Sequence, residues 1–390
     1  LVSASPTQRT TDEQQTQQID FDDSAMNRGR IPNLDGLRAV AILLVLFHHC
    51  PDIAWLSTLH ANGRYGVALF FVISGFLITT LFLRETRRFG RVDLGRFFAR
   101  RALRLFPLYY LVLAGYVVLV IGCGFYSPEN QALFTAKLPS YLLYYSNLTQ
   151  HATEGPFFFA WSLAVEEQFY LFFGVMVALL RRRWIVWLFA AALAAKMVAF
   201  YAPSFRADHE LIWRIGFSYR EAILWGVLLA YFVSTRRGYE LFQRFICQRW
   251  VMATLAAGCL AQLIFHLEPD HSAWPAQLWY VAVTLLVGSC ALSSPVKLLE
   301  TRLAVHIGAI SYGIYLMHML VINTLTKFTS NPIAILVLAT LLTTVLASLT
   351  YQFFEKPILR WKDRLQPQAE NGLPSGSPEL TGAAAAPTRA

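Results

Sequence analysis

The first thirty positions are mostly polar, and from Leu37 to Phe354 long apolar runs alternate with short segments rich in Arg, Lys and Gly. Runs of about 18 or more apolar residues suit the ~30 Å hydrocarbon core of a bilayer, crossed at about 1.5 Å per residue. Ten such runs can be read, at about 33–52, 65–83, 105–123, 161–180, 184–202, 219–234, 251–267, 276–294, 306–325 and 333–354. The pattern predicts an all-α, polytopic membrane protein with about ten transmembrane helices. The stretch Pro139-Ser-Tyr-Leu-Leu-Tyr-Tyr-Ser-Asn-Leu148 is apolar but short. It reads as an interfacial or re-entrant piece on the outer side, since counting it as a span would invert every later loop. No internal repeat is visible, which weighs against the transporter folds built from repeats.

The flanks set the boundaries. Residues 1–30 are rich in Gln, Asp and Thr with no apolar core behind a basic start, so they do not read as a cleaved signal peptide. Residues 365–390 are Pro, Gly, Ser and Ala-rich. Both are expected to be disordered tails, leaving residues 31–364 as the membrane domain.

Charge orients the chain. With the amino terminus in the cytoplasm, the inner loops carry 21 Lys and Arg and the outer loops 5, as the positive-inside rule requires, so both termini are expected to be cytoplasmic. That topology accounts for the net charge of +9 without nucleic acid as a partner. A content of 56% hydrophobic and 15% charged residues, with mean hydropathy +0.44, excludes an ordinary soluble domain. The five cysteines form no Cys-x-x-Cys pair, and no carboxylate and histidine cluster with ligand spacing lies on one helix, so neither a disulfide framework nor a metal site is indicated.

Ionisable residues inside spans are costly enough to mark a pathway or an active site. In Leu34-Asp-Gly-Leu-Arg38 and the run that follows, His49 lies eleven residues after Arg38. Eleven steps of about 100° bring both side chains to one face, separated by ~16 Å of rise. One face thus carries a cation towards the cytoplasm and an imidazole towards the outer leaflet. Asp35 can cap this helix or pair with Arg38, and His48, about 100° away from His49, is expected to satisfy a neighbouring helix. Arg101 and Arg104 share a face at what reads as a cytoplasmic helix start, where forked donors and the positive dipole end favour phosphate. Arg84, Arg87, Arg88 and Arg91 read as topological charge. Glu166 and Glu167 open the fourth span on the same outer side as His49, where they can orient a histidine or bind a sugar hydroxyl. His318 lies in the outer half of the ninth span, and Ser74 and Gly75 read as a close helix contact.

Six segments, in order, resemble the acyltransferase 3 family of bacterial integral membrane O-acyltransferases. They are Leu34-Asp-Gly-Leu-Arg38 with His49, Gly66-Val-Ala-Leu-Phe-Phe-Val-Ile-Ser-Gly-Phe-Leu-Ile78, Arg100-Arg-Ala-Leu-Arg-Leu-Phe-Pro-Leu-Tyr-Tyr110, Trp161-Ser-Leu-Ala-Val-Glu166, Ser311-Tyr-Gly-Ile-Tyr-Leu-Met-His318 and Phe354-Glu-Lys-Pro357. The resemblance spans residues 31–360. It implies ten membrane helices in a bacterial inner membrane, with transfer of an acetyl or other short acyl group from cytoplasmic acyl-CoA to a hydroxyl of an envelope glycan, lipid or secreted metabolite. Arg38 and His49 fall on the family's Arg-x10-His pair, Arg101 and Arg104 on its Arg-x-x-Arg motif. Ala68 departs from the acidic or amide residue many members carry there, so any acceptor contact of that side chain is missing here. Since some members add an esterase-like domain after the last helix, the tail seen here suggests a stand-alone membrane enzyme.

These readings combine into one expectation. Acetyl-CoA or another acyl-CoA enters from the cytoplasm with its phosphates near Arg101, Arg104 and Arg38. His49 acts as general base or forms an acyl-histidine, with Glu166 or Glu167 orienting it, and Trp161 and His318 are candidate substrate-binding side chains. The alternative class is a transporter or flippase of a lipid-linked or anionic metabolite.

Overall fold

The computed structural model describes residues 32–149, 154–200, 221–265, 274–292 and 296–363. The expected tails and residues 201–220 lie outside them. Among the described residues the secondary structure is helical, without strands. Numbered along these residues, the α-helices are α1 (Pro32–His49), α2 (Ser57–Asn62), α3 (Tyr65–Phe89), α4 (Leu94–Val117), α5 (Pro128–Leu142), α6 (Ala160–Leu179), α7 (Arg182–Phe200), α8 (Glu221–Val233), α9 (Arg236–Phe245), α10 (Arg249–Phe265), α11 (Trp274–Leu292), α12 (Arg302–Leu325), α13 (Pro332–Thr350) and α14 (Lys356–Asp363). π-helical turns extend α4 over Val118–Gly122 and join α13 to α14 over Tyr351–Glu355.

Each of the ten apolar runs falls on a helix, but five helical stretches are long and apolar enough to cross a membrane: Ala54–Phe89, Leu94–Gly122, Ala160–Leu179, Arg302–Leu325 and Pro332–Trp361. Glu221–Val233, Arg249–Phe265 and Ala276–Leu292 are apolar but shorter over the described residues, which therefore bear out five spans of the about ten expected. The stretch 139–148 is the end of α5 and a turn, with Tyr144 in the left-handed region at φ 54°.

The largest departure from the sequence pattern is the start of α4. Asp93 caps it by accepting the Arg96 backbone N–H at 2.9 Å, so the helix begins at Leu94 rather than near 105. Hydropathy hides this first part because it carries four arginines, yet Phe97 is buried against Phe82 at 4.6 Å between ring centroids. Arg101 and Arg104 consequently lie in the helix interior, about two to three turns from its amino end, where the end dipole does not reach. Asp35 likewise lies in the first turn of α1 rather than capping it.

Small residues allow the helices to approach. Gly308 of α12 sits on the Asp35 carbonyl, Gly36 on the Leu299 carbonyl, Gly75 on the Ile223 carbonyl, and Gly226 on the Val72 carbonyl. A Cβ at Gly308 would overlap backbone, which cannot yield without moving α1. Gly308→Leu is therefore expected to cost about 3 kcal/mol or more by overpacking, read as a lower melting temperature in detergent together with lost activity. Among the described residues the bundle holds two large apolar cores and a small third one of Cys50, Val321, Ile322, Ile335 and Ala339. Of the large pair, one gathers Phe76, Phe82, Phe173, Val227 and Trp279, and the other Leu46, Tyr109, Tyr116, Phe157, Phe159 and Leu316. Val67 and Phe70 pack on both large cores, so they mark the seam between them.

Candidate active site

At that seam lies a partly open cavity of about 90 Å³, walled by Val67, Phe70, Phe71 and Ser74 of α3, Arg101, Arg104 and Leu105 of α4, Ser162, Leu163 and Glu166 of α6, Ser311, Tyr312 and Tyr315 of α12, and Arg38 of α1. The three arginines that the sequence singled out thus face one space.

Their roles differ. Arg101 donates to Glu166 at 2.9 Å, has Glu167 at 3.8 Å, and stacks over the Tyr170 ring at 3.8 Å. Glu166 also accepts from Ser74 at 2.5 Å and from the Tyr170 hydroxyl. Arg38 donates to Asp35 at 3.2 Å. Arg104 has no carboxylate at ion-pair distance among the described residues, and its guanidinium lines the cavity with Arg38 and Arg101. Two carboxylates neutralise Arg101 from two directions, so it is committed to holding α4 on α6. Arg104 is the cation open to an anionic ligand.

The second cluster sits at the far end of α1. His49, its last residue, is partly buried, and its Nδ1 lies 2.9 Å from the Val45 carbonyl oxygen and 3.2 Å from His318 Nε2. Buried His318 places its own Nδ1 2.6 Å from the Tyr315 carbonyl oxygen. Carbonyl oxygens only accept, so with both rings neutral each Nδ1 carries the proton and His318 Nε2 accepts from His49. His49 Nε2 is then left with a bare lone pair, the state a general base needs. Phe158 and Phe159 close on this pair at 5.6 Å from the His49 ring and 5.3 Å from the His318 ring.

The sequence placed Glu166 and Glu167 beside His49. In the structure their partner is Arg101, and the group that touches His49 is His318. Glu166 lies about two turns from the amino end of α6, at the depth the early start of α4 gives Arg101, and opposite charges at one depth in a low-dielectric bundle pair. Trp161 sets its ring edge-on to Phe71, behind the cavity wall. His48 donates from Nδ1 to the His60 carbonyl of α2 at 2.9 Å, and His60 Nε2–H reaches back to the Cys50 carbonyl at 2.7 Å, clamping the turn after His49. Gly75 is the helix contact expected, while Ser74 instead bonds Glu166.

Sequence reasoning missed Ser162, Tyr312 and Tyr315 as cavity residues. Their signal lay in the motifs already singled out: Ser162 follows Trp161, and Tyr315 precedes His318 by one helical turn. Among the described residues no group of three His, Cys, Asp or Glu side chains is arranged to hold a metal ion.

Residues 31–352 match a family described as an acyltransferase domain. A Staphylococcus aureus (strain COL) protein provisionally named an O-acetyltransferase is 28% identical over 375 residues, 87% of this chain and 60% of its own. O-acetyltransferase OatA of S. aureus (strain NCTC 8325 / PS 47) is 28% identical over 356 residues, 84% of this chain and 57% of that one. The chain therefore spans about three fifths of the length of the curated relatives it matches. No solved structure matches it.

Proposed function

The chain belongs to the acyltransferase 3 family, and from that premise we propose that it is a membrane O-acyltransferase moving an acetyl or other short acyl group from acyl-CoA to a hydroxyl of an envelope glycan, lipid or secreted metabolite. The observation that carries the proposal is the polarity of the site. A cavity lined by three guanidiniums runs along α3, α6 and α12 and ends one helical turn from a histidine pair.

The donor diphosphate is held by Arg104 and Arg38, with Arg101 fixed beside them by Glu166 and Glu167. The pantetheine arm extends along the apolar wall of Val67, Phe70, Phe71 and Leu163, and the ~16 Å rise from Arg38 to His49 matches the order of its length. His49 Nε2 takes the proton of the acceptor hydroxyl as the oxygen attacks the thioester carbon. The carbon–sulfur bond breaks, and the proton passes from His49 to the departing thiolate, so ester and free CoA thiol form without net proton release. His318 holds the ring that does this. Both chain termini lie on the cytoplasmic side with the donor, and the acceptor reaches His49 from the outer leaflet of the bacterial inner membrane.

The test is thiol release by the purified protein in nanodiscs, given acetyl-CoA or longer acyl-CoAs with envelope-glycan and lipid acceptors. Acceptor-dependent release is the expected result. Confirmed folding with no release across the acyl-CoA and acceptor panel would overturn the reading and favour a transporter.

A further inference from the structure

The Ser162 and Tyr315 hydroxyls lie 2.5 Å apart, and each also reaches the Phe159 carbonyl oxygen, at 3.2 and 3.0 Å. Both residues are nearly fully buried, and both line the cavity. Their position along the helices is consistent on three sides. On α6 the cavity runs from Glu166 up to Ser162, one turn below Phe159 and Phe158, which touch the histidine pair. On α12 it runs from Ser311 up to Tyr315, one turn below His318, with the two rings 5.5 Å apart. On α3 it runs from Ser74 up to Val67. The two hydroxyls therefore stand where the arginine cavity ends and the histidines begin.

Their proton count matters. The Phe159 carbonyl also accepts the Ser162 backbone N–H at 3.4 Å, so a hydroxyl proton can turn to a ligand oxygen without orphaning that buried acceptor. Tyr315 also gives its carbonyl to His318 Nδ1, so the same residue fixes the histidine pair and presents a hydroxyl to the cavity.

We propose that Tyr315 and Ser162 form the oxyanion-stabilising dyad of the transfer, donating to the thioester carbonyl oxygen as it gains negative charge. This rests on the acyltransferase reading above. When the acceptor oxygen bonds to the thioester carbon, the carbonyl π pair moves onto oxygen. The spare O–H turns to that oxygen until the pair returns and the thiolate leaves. The donors are preorganised in a buried site, where such a bond is worth most in the transition state. The dyad acts as a unit, because the two hydroxyls lie 2.5 Å apart and removing either takes away the partner that orients the other.

The experiment compares wild type, Tyr315→Phe, Ser162→Ala, Ser162→Thr and the double variant Tyr315→Phe/Ser162→Ala, measuring donor KM and kcat by thiol release after thermal melting confirms folding. Each hydroxyl deletion is expected to lower kcat by about 100-fold with donor KM within ~3-fold. The double variant should fall little further than the worse single one, and Ser162→Thr should retain most activity. A kcat within ~3-fold of wild type in both hydroxyl deletions, or a rise in KM alone, overturns the proposal and leaves the dyad a packing contact. If Tyr315→Phe fails to fold, Ser162→Ala against Ser162→Thr decides. An inactive, folded wild type would instead remove the acyltransferase reading and this inference with it.

Discussion

Replacing His49 by alanine is expected to lower acceptor-dependent thiol release by about 1,000-fold while the protein remains folded. The side chain ends α1, and among the described residues its one long-range hydrogen bond is to His318. Its loss therefore removes no ion pair among the described residues and leaves the Gly308 crossing of α12 on α1 intact. His49→Gln should be equally inactive, since an amide fills the volume but accepts no proton. His48→Ala is the contrast. It loses one bond to the His60 carbonyl, costing about 1 kcal/mol of stability, and should retain turnover within a few-fold. Saturating-donor rates for the three variants, beside melting temperatures, make the comparison. Near-normal turnover in His49→Ala would sink the assignment of His49 as the base.

The contrast between adjacent histidines was legible in the sequence, and the reason bears on what was not. Arg38, His48 and His49 share one helix, and a period of 3.6 residues fixes their relative faces whatever surrounds them. The pairing of His49 with His318 crosses 269 positions. The sequence could place both in the outer halves of their spans, but not in contact. The same limit misplaces Glu166 and Glu167 when sequence alone sets the spans. Hydropathy began the third span at 105, because the arginines of residues 94–104 resemble a loop, and this put Arg101 at the membrane surface. The Asp93 cap and the buried Phe97 make that segment helix, carrying Arg101 inward to meet Glu166. A helix whose solvent-like residues face a polar cavity defeats any window that averages over all its faces.

That relocation separates two arginines which the sequence treated as a pair, and it predicts opposite defects. Arg101→Ala leaves Glu166 and Glu167 adjacent, partly buried and without their cation. Breaking such a pair should cost about 3 kcal/mol, which appears as a lower melting temperature and poor recovery of folded protein. Glu166→Gln should soften the loss, because the amide oxygen still accepts from Arg101. Arg104→Ala breaks no ion pair among the described residues and relieves repulsion from Arg38 and Arg101, which face the same cavity. Its melting temperature should hold, while donor KM rises about 10- to 100-fold, the worth of one or two charge-assisted hydrogen bonds to phosphate. An acyl-pantetheine donor, which lacks the nucleotide diphosphate, should lose the distinction between wild type and Arg104→Ala. Unchanged KM for acyl-CoA in Arg104→Ala would move the anion site away from this cavity. Equal destabilisation by both variants would mean that the two guanidiniums share one structural role after all.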